Sequence, residues 1–137
     1  VRAAGKAGIE AAKGAAIETA GQEIAKALAP EYEWAPVYFD FDKSEIRADQ
    51  RGMLMAHAEH LRGAQLTIFG NCDERGSTEY NLALGLKRAQ EARSFLQKAG
   101  AKGDIKVFSY GEELPKDPGH DETAWAKNRR ADFAVDR

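Results

Sequence analysis

The sequence predicts an α/β (α+β) sandwich, helices laid on one sheet, with a further helix in front. Three observations carry this. Four short runs alternate apolar and polar residues with the period of a strand. Between them the apolar spacing changes to three and four, the period of a helix face. Glycine and proline mark the joints, giving the order β-α-β-α-β-(α)-β after the leading helix.

Residues 1–29 contain 11 alanines and 4 glycines and no aromatic residue. Ile9, Ala16, Ala20, Ile24 and Leu28 form a thin apolar stripe at helical spacing. Each glycine there costs a helix roughly 1 kcal/mol relative to alanine. Two readings stand: a linker helix, or a pairing helix whose small residues admit a close partner and drive oligomers. Pro30 ends it, so the chain divides into a leader, 1–29, and a domain, 30–137.

The domain opens with a strand in which Val37, Phe39 and Phe41 alternate with Tyr38 and Asp40. That alternation places Asp40 and Asp42 on one side. Ser44 or Asp49 caps a helix whose apolar face is Leu54, Ala58 and Leu61, ending at Gly63. Leu66, Ile68 and Gly70 define a second strand, followed by the polar turn 71–77. A long helix then packs through Leu82, Gly85, Ala89, Ala92 and Leu96, with Gly100 as its terminator. Ile105, Val107 and Ser109 mark the third strand, 111–121 a loop, and 124–128 a short helical turn. The last strand, 130–136, faces Ala131, Phe133 and Val135 inward.

With 20 basic and 22 acidic residues the net charge is −2, which argues against a nucleic-acid partner held by a basic field. Cys72 is the single cysteine, so neither an intramolecular disulfide nor a thiolate metal cage can form. No apolar run approaches the roughly 20 residues of a membrane span. From Val1 onward neither a signal peptide nor an acylated cysteine is seen.

Chemistry concentrates in 70–76 and the helix after it. Gly70 and Gly76 bracket the turn and allow close approach of a ligand. Asp73 falls where a strand runs out, a common place for ligand contacts. Asn81, Leu84 and Arg88 share one helix face, expected opposite the apolar stripe. An acid at the strand end and a guanidinium two turns into the helix suit a zwitterion, ammonium to Asp73 and carboxylate to Arg88. The competing reading is a structural Asp–Arg salt bridge.

Other signals read as structural. His57 and His60, three apart on a helix, are expected on the solvated surface rather than around a metal. Asp40 and Asp42 offer a cation too few ligands. Cys72 beside a carboxylate is a packed thiol, not a nucleophile. Trp34 and Trp125 are expected to cover core edges. No nucleophile–base pair can be assembled, so an enzyme is not expected, nor a metal or cofactor.

Four blocks carry a family resemblance. They are Phe39-Asp40-Phe41-Asp42 with Ser44 and Ile46; Gly70-x-x-Asp73-Glu74-Arg75-Gly76; Glu79-Tyr80-Asn81-x-Ala83-Leu84-Gly85-x-x-Arg88-Ala89; and Asn128-Arg129-Arg130. Together, over about 34–137, they resemble the OmpA-like peptidoglycan-binding domain, and its lipoprotein branch most of all. The resemblance implies a non-catalytic domain with helices on a mixed sheet, gripping the diaminopimelate of a peptidoglycan stem. It places the key aspartate on Asp73 and the key arginine on Arg88. Asp42 and Asn81 become further polar contacts and Leu84 an apolar wall, with Arg129 or Arg130 contributing from the last strand. Substituting Asp73 or Arg88 is expected to abolish binding with the fold intact.

In that branch a histidine follows the first glycine, where this chain has Asn71. The change removes a histidine-dependent contact or pH response there. The resemblance further implies a periplasmic place at the outer membrane of a Gram-negative bacterium, through a lipid anchor these residues do not carry. The rival reading is a protein–protein module of the Tol system, with a TolB-like partner.

Overall fold

A computed structural model describes residues 32–136 of the chain. The leader 1–29 and its expected helix lie outside the described residues, as does Arg137. The described elements are β1 (Val37–Tyr38), a 3-10 turn (Ala48–Gln50), α1 (Arg51–His60), β2 (Gln65–Asn71), α2 (Thr78–Lys98), β3 (Ile105–Gly111), α3 (Glu122–Asn128) and β4 (Arg130–Asp136). The four strands form one mixed sheet in the order β1-β4-β2-β3. The β2–β3 pair is parallel, and β4 runs antiparallel to both β1 and β2. This is the expected helix-on-sheet order.

Alternation in β2 sends Leu66 and Ile68 into the core, where they meet Leu54, Ala58, Leu61, Ala89, Ala92 and Leu96 of the helical layer. Phe133 and Val135 of β4 pack against the same cluster, as their period of two requires. Ser77 caps α2 by accepting from the Tyr80 amide at 3.1 Å. At its other end Gly100, at φ 92°, closes a Schellman motif. In that motif Ala101 N donates to Leu96 O at 3.0 Å and Gly100 N to Gln97 O at 3.1 Å.

Several expectations are corrected. β1 stops at Tyr38, because Asp42 adopts φ 58° and the chain turns at 40–43. Asp40 and Asp42 therefore do not share a strand face. Neither Ser44 nor Asp49 caps α1: Gln50 is its N-cap without a side-chain bond, and Asp49 instead takes the fork of Arg47. Leu82 is 38% exposed, whereas Asn81 and Arg88 are buried on the same stripe as Gly85, Ala89, Ala92 and Leu96. His57 is fully buried rather than solvated, bonded to Ala35 O at 2.9 Å and flanked by the rings of Trp34 and Phe133.

Gly70 makes room for a helix, not for a ligand. A Cβ there would stand 1.7 Å from Gly85 O, so the α2 backbone rests directly on β2. Gly76, at φ 102°, does supply the left-handed turn expected of it. Gly70→Ala is expected to lower stability by about 1–3 kcal/mol or more through overpacking. Gly52→Ala, with nothing within 4 Å of the added carbon, is the neutral-to-stabilising control in thermal melts.

Candidate functional site

Between β2 and β3 the register shifts at Gly70/Asn71, where Ser109 and Gly111 are the successive partners and Tyr110 of β3 is left unmatched. Cys72 is then held by its amide on Gly111 O at 2.8 Å, which leaves Asp73 at the mouth of a cleft. The cleft holds about 230 Å³. Its walls come from three places: Phe41 and Asp42 after β1, 72–76 after β2, and Tyr80, Asn81, Leu84 and Arg88 of α2. Asn81 and Arg88 are seven residues apart, two turns or about 10 Å along one face. The backbone contact of Gly70 with Gly85 lies between them and sets their depth.

Arg88 is 1% exposed, and no carboxylate lies within ion-pair distance of it among the described residues. Its Nε donates to Lys43 O at 2.8 Å, Nη1 to Asn71 O at 2.9 Å and Nη2 to Asp40 O at 3.1 Å. Three of five guanidinium N–H groups are thus used, leaving two at a cleft the residue lines. Burial lowers its pKa, yet a guanidinium stays cationic at any ordinary pH. The two bonds to Asp40 O and Lys43 O also hold 40–43 as a turn. Arg88 is therefore a structural residue too, and its removal is not neutral to the fold as expected from sequence.

Asp73 does not pair with Arg88. Its carboxylate takes Arg75 in a fork, Oδ1 from Nε at 3.1 Å and Oδ2 from Nη2 at 2.8 Å, with Arg129 Nη1 at 3.5 Å behind. Burial alone would raise this carboxyl, but the Arg75 bonds and charge, helped by Arg129, hold it below the ordinary aspartate value. Asp42 accepts the Tyr80 hydroxyl. Asn81 Nδ2 donates to Arg75 O at 3.0 Å and to Glu112 at 2.5 Å, fixing the turn onto α2.

Of the expected site residues, Asp42, Asp73, Asn81, Leu84 and Arg88 line the cleft. Arg129 reaches it only through Asp73, since its Nε bonds Phe39 O and its Nη2 bonds Glu122. Arg130 is not brought to the cleft: it bonds Asp132 and Leu114 O and secures the long loop. Asn71 likewise turns its amide toward Phe69 O and Asp132, away from the cleft. Cys72 is buried, and burial pushes its thiol up to about 11, as suits an inert packed group.

Sequence reasoning missed Arg75, Phe41 and Tyr80. Arg75 is clamped between the Phe41 and Trp125 rings, 4.0 Å from each centroid. Trp125 is not a core-edge residue: its Nε1 donates to Glu74 at 2.8 Å, and His120 Nδ1 lies 2.7 Å from the same carboxylate. Only the two-residue step from Asp73 to Arg75 hinted at this in the sequence, while the aromatic plates arrive from distant segments.

The OmpA family pattern matches residues 38–129, and the chain belongs to the OmpA family. Among its relatives are proteins named peptidoglycan-associated lipoprotein. That of Pasteurella multocida is 46% identical over 72% of this chain and 68% of its own length. The one from Pseudomonas aeruginosa is 38% identical over 70% of this chain and 59% of its own. The crystal structure of the peptidoglycan-associated lipoprotein from Burkholderia pseudomallei aligns at TM-score 0.70 and 44% identity, over 74% of this chain and 89% of that one. The C-terminal domain of Helicobacter pylori MotB shares the fold, at TM-score 0.69 and 18% identity over 75% of this chain and 84% of that one.

Two histidines are expected to titrate on opposite sides of 6.5. The Glu74 hydrogen bond raises His120, so the stabilisation from that pair is full below 6.5 and fades as pH rises through the folded value. Burial lowers His57, so its contribution is present above 6.5 and is lost as pH falls through its folded value. Ring-proton NMR titration reads both, and coincident midpoints would contradict the assignment.

Proposed function

We propose that this domain is a non-catalytic module that binds peptidoglycan by the diaminopimelate end of an uncrosslinked stem peptide. The observation that carries the reading is Arg88: a buried cation facing a cleft with no carboxylate partner among the described residues and two N–H groups unspent. A ligand carboxylate fits it as a two-pronged acceptor. Asp73 accepts the ligand ammonium, Asp42 and Asn81 fix its orientation, and Leu84 lies along the methylene chain. Two acids and two arginines in the lining, Asp42 and Asp73 with Arg75 and Arg88, suit a zwitterion better than a polyanion.

What the relatives' names state, association with peptidoglycan as lipoproteins, supports carrying this role over. On this reading the domain ties the outer membrane to the wall from the periplasmic side of a Gram-negative envelope. The division into a leader, 1–29, and a binding domain, 30–137, is part of the same proposal.

A TolB-like protein partner is the second reading. The observation favouring it is the rim of the cleft, where Phe41 is 53% and Tyr80 51% exposed. Such a partner would cover the same cleft and compete with the wall.

Asp73→Asn is expected to abolish sedimentation with purified peptidoglycan while the protein still melts cooperatively. Arg88→Lys keeps the charge but loses the planar fork, and is expected to weaken binding at least tenfold and to lower stability, since carbonyls of 40–43 lose donors. Calorimetry with a diaminopimelate stem against a lysine stem tests the ligand. Equal affinity for both stems, or full retention by Asp73→Asn, would overturn the reading.

A further inference from the structure

The Asp73 carboxylate has no room for an incoming ammonium. Oδ1 already accepts the Arg75 amide at 3.0 Å and Arg75 Nε at 3.1 Å. Oδ2 accepts Arg75 Nη2 at 2.8 Å and Arg129 Nη1 at 3.5 Å. These four donors fill the roughly four acceptor positions of a carboxylate. A ligand cation reaches Asp73 only if a resident donor leaves.

The donors differ in how firmly they are held. The Arg75 amide is part of the turn backbone. Arg129 has a side chain only 7% exposed and is tied to Phe39 O at 2.9 Å and to Glu122 at 3.0 Å. The Arg75 side chain is 32% exposed, and apart from Asp73 it is held by stacking on two rings rather than by further hydrogen bonds. A second acid stands beside it, with Glu122 Oε1 3.9 Å from Nη2 and 67% exposed. Arg75 is the donor that can move, and Glu122 is where its charge can go.

We propose that Arg75 is a built-in competitor for the cation position on Asp73, displaced toward Glu122 when ligand binds. The inference rests on the reading of Asp73 as the ammonium acceptor. The Arg75 guanidinium gives a buried carboxylate its close ion pair, where Arg129 alone would stand at 3.5 Å. An ammonium brings three donors in a compact group and replaces Arg75 Nε and Nη2 together. The exchange is cation for cation, so a stem end whose amine is acylated in a cross-link has nothing to offer in return for Arg75. Selectivity for uncrosslinked stems then comes from a residue that makes no contact in the bound state. The affinity is reduced by the fraction of time Arg75 leaves the position open. A cleft open one-tenth of the time binds about tenfold more weakly than an open one.

Calorimetric titration of the full chain and its Arg75→Gln variant with a diaminopimelate-ending stem peptide tests this. The variant is expected to bind about tenfold more tightly. Its Asp73 carboxyl is expected to titrate higher by carbon NMR, because the fork that holds it down is gone. In the unsubstituted protein the Trp125 indole resonance is expected to shift on binding as Arg75 leaves its ring, and in Arg75→Gln that shift is expected to disappear. Arg75→Lys keeps the charge without the fork and is expected to fall between the two; it carries the test if Arg75→Gln melts early. Equal or weaker binding by the folded variants, while Asp73→Asn still abolishes it, would overturn the competitor and leave the ligand reading standing. Full binding by Asp73→Asn would overturn the ligand reading itself.

Discussion

A buried guanidinium that bonds to three backbone carbonyls organises the functional end of this domain. Arg88 enters from α2 and gathers the carbonyls of Asp40 and Lys43 after β1 and of Asn71 at the end of β2. Each carbonyl lies outside regular strand pairing, and only that of Asp40 also accepts a backbone amide, from Lys43 at 3.2 Å. The turn after β1 and the end of β2 are thereby tied to α2 through one cation, and the cleft is lined by all three. A charge enclosed in this way with no carboxylate in ion-pair distance among the described residues is costly to keep, and the three carbonyls offset part of that cost.

The depth at which Arg88 sits is fixed by an apolar constraint. Gly70 and Gly85 bring the α2 backbone against β2 more closely than any Cβ would allow. One turn before the contact is Asn81, and nearly one turn after it is Arg88, so both are carried below the surface. The packing of α2 on β2 and the shape of the cleft are the same geometry here. The Schellman closure at Gly100 and the Ser77 cap then hold the helix in that register.

Electrostatically the cleft and its rim are a set of mutually satisfied groups rather than a field of one sign. Asp73 is satisfied by Arg75 within its own turn, while Asp42 with Tyr80, and Glu74 with Trp125 and His120, are satisfied across segments distant in sequence. The near balance of 22 acids against 20 bases in the whole chain is repeated locally in the lining.

By itself the sequence determined the strand and helix order, the inward faces of β2 and β4, the end of α2 at Gly100 and the candidate group Asp73, Asn81 and Arg88, which the fold brings to one cleft. These follow from local periodicity, from turn chemistry and from recognisable blocks, each confined to neighbouring residues. Only the tertiary structure decided that Arg88 and Asn81 are buried, because hydropathy assigns charged and amide groups to solvent unless distant carbonyls and acids receive them. Long-range partners likewise sent Arg130 away from the cleft, took His57 into the core and made Trp125 a plate for Arg75. The same holds for Asp73, for which a salt bridge to Arg88 is the competing reading of the sequence and which the fold gives to Arg75 instead. A carboxylate bonds the nearest well-oriented donor, and which donor that is depends on how the turn at 73–76 is pinned to α2.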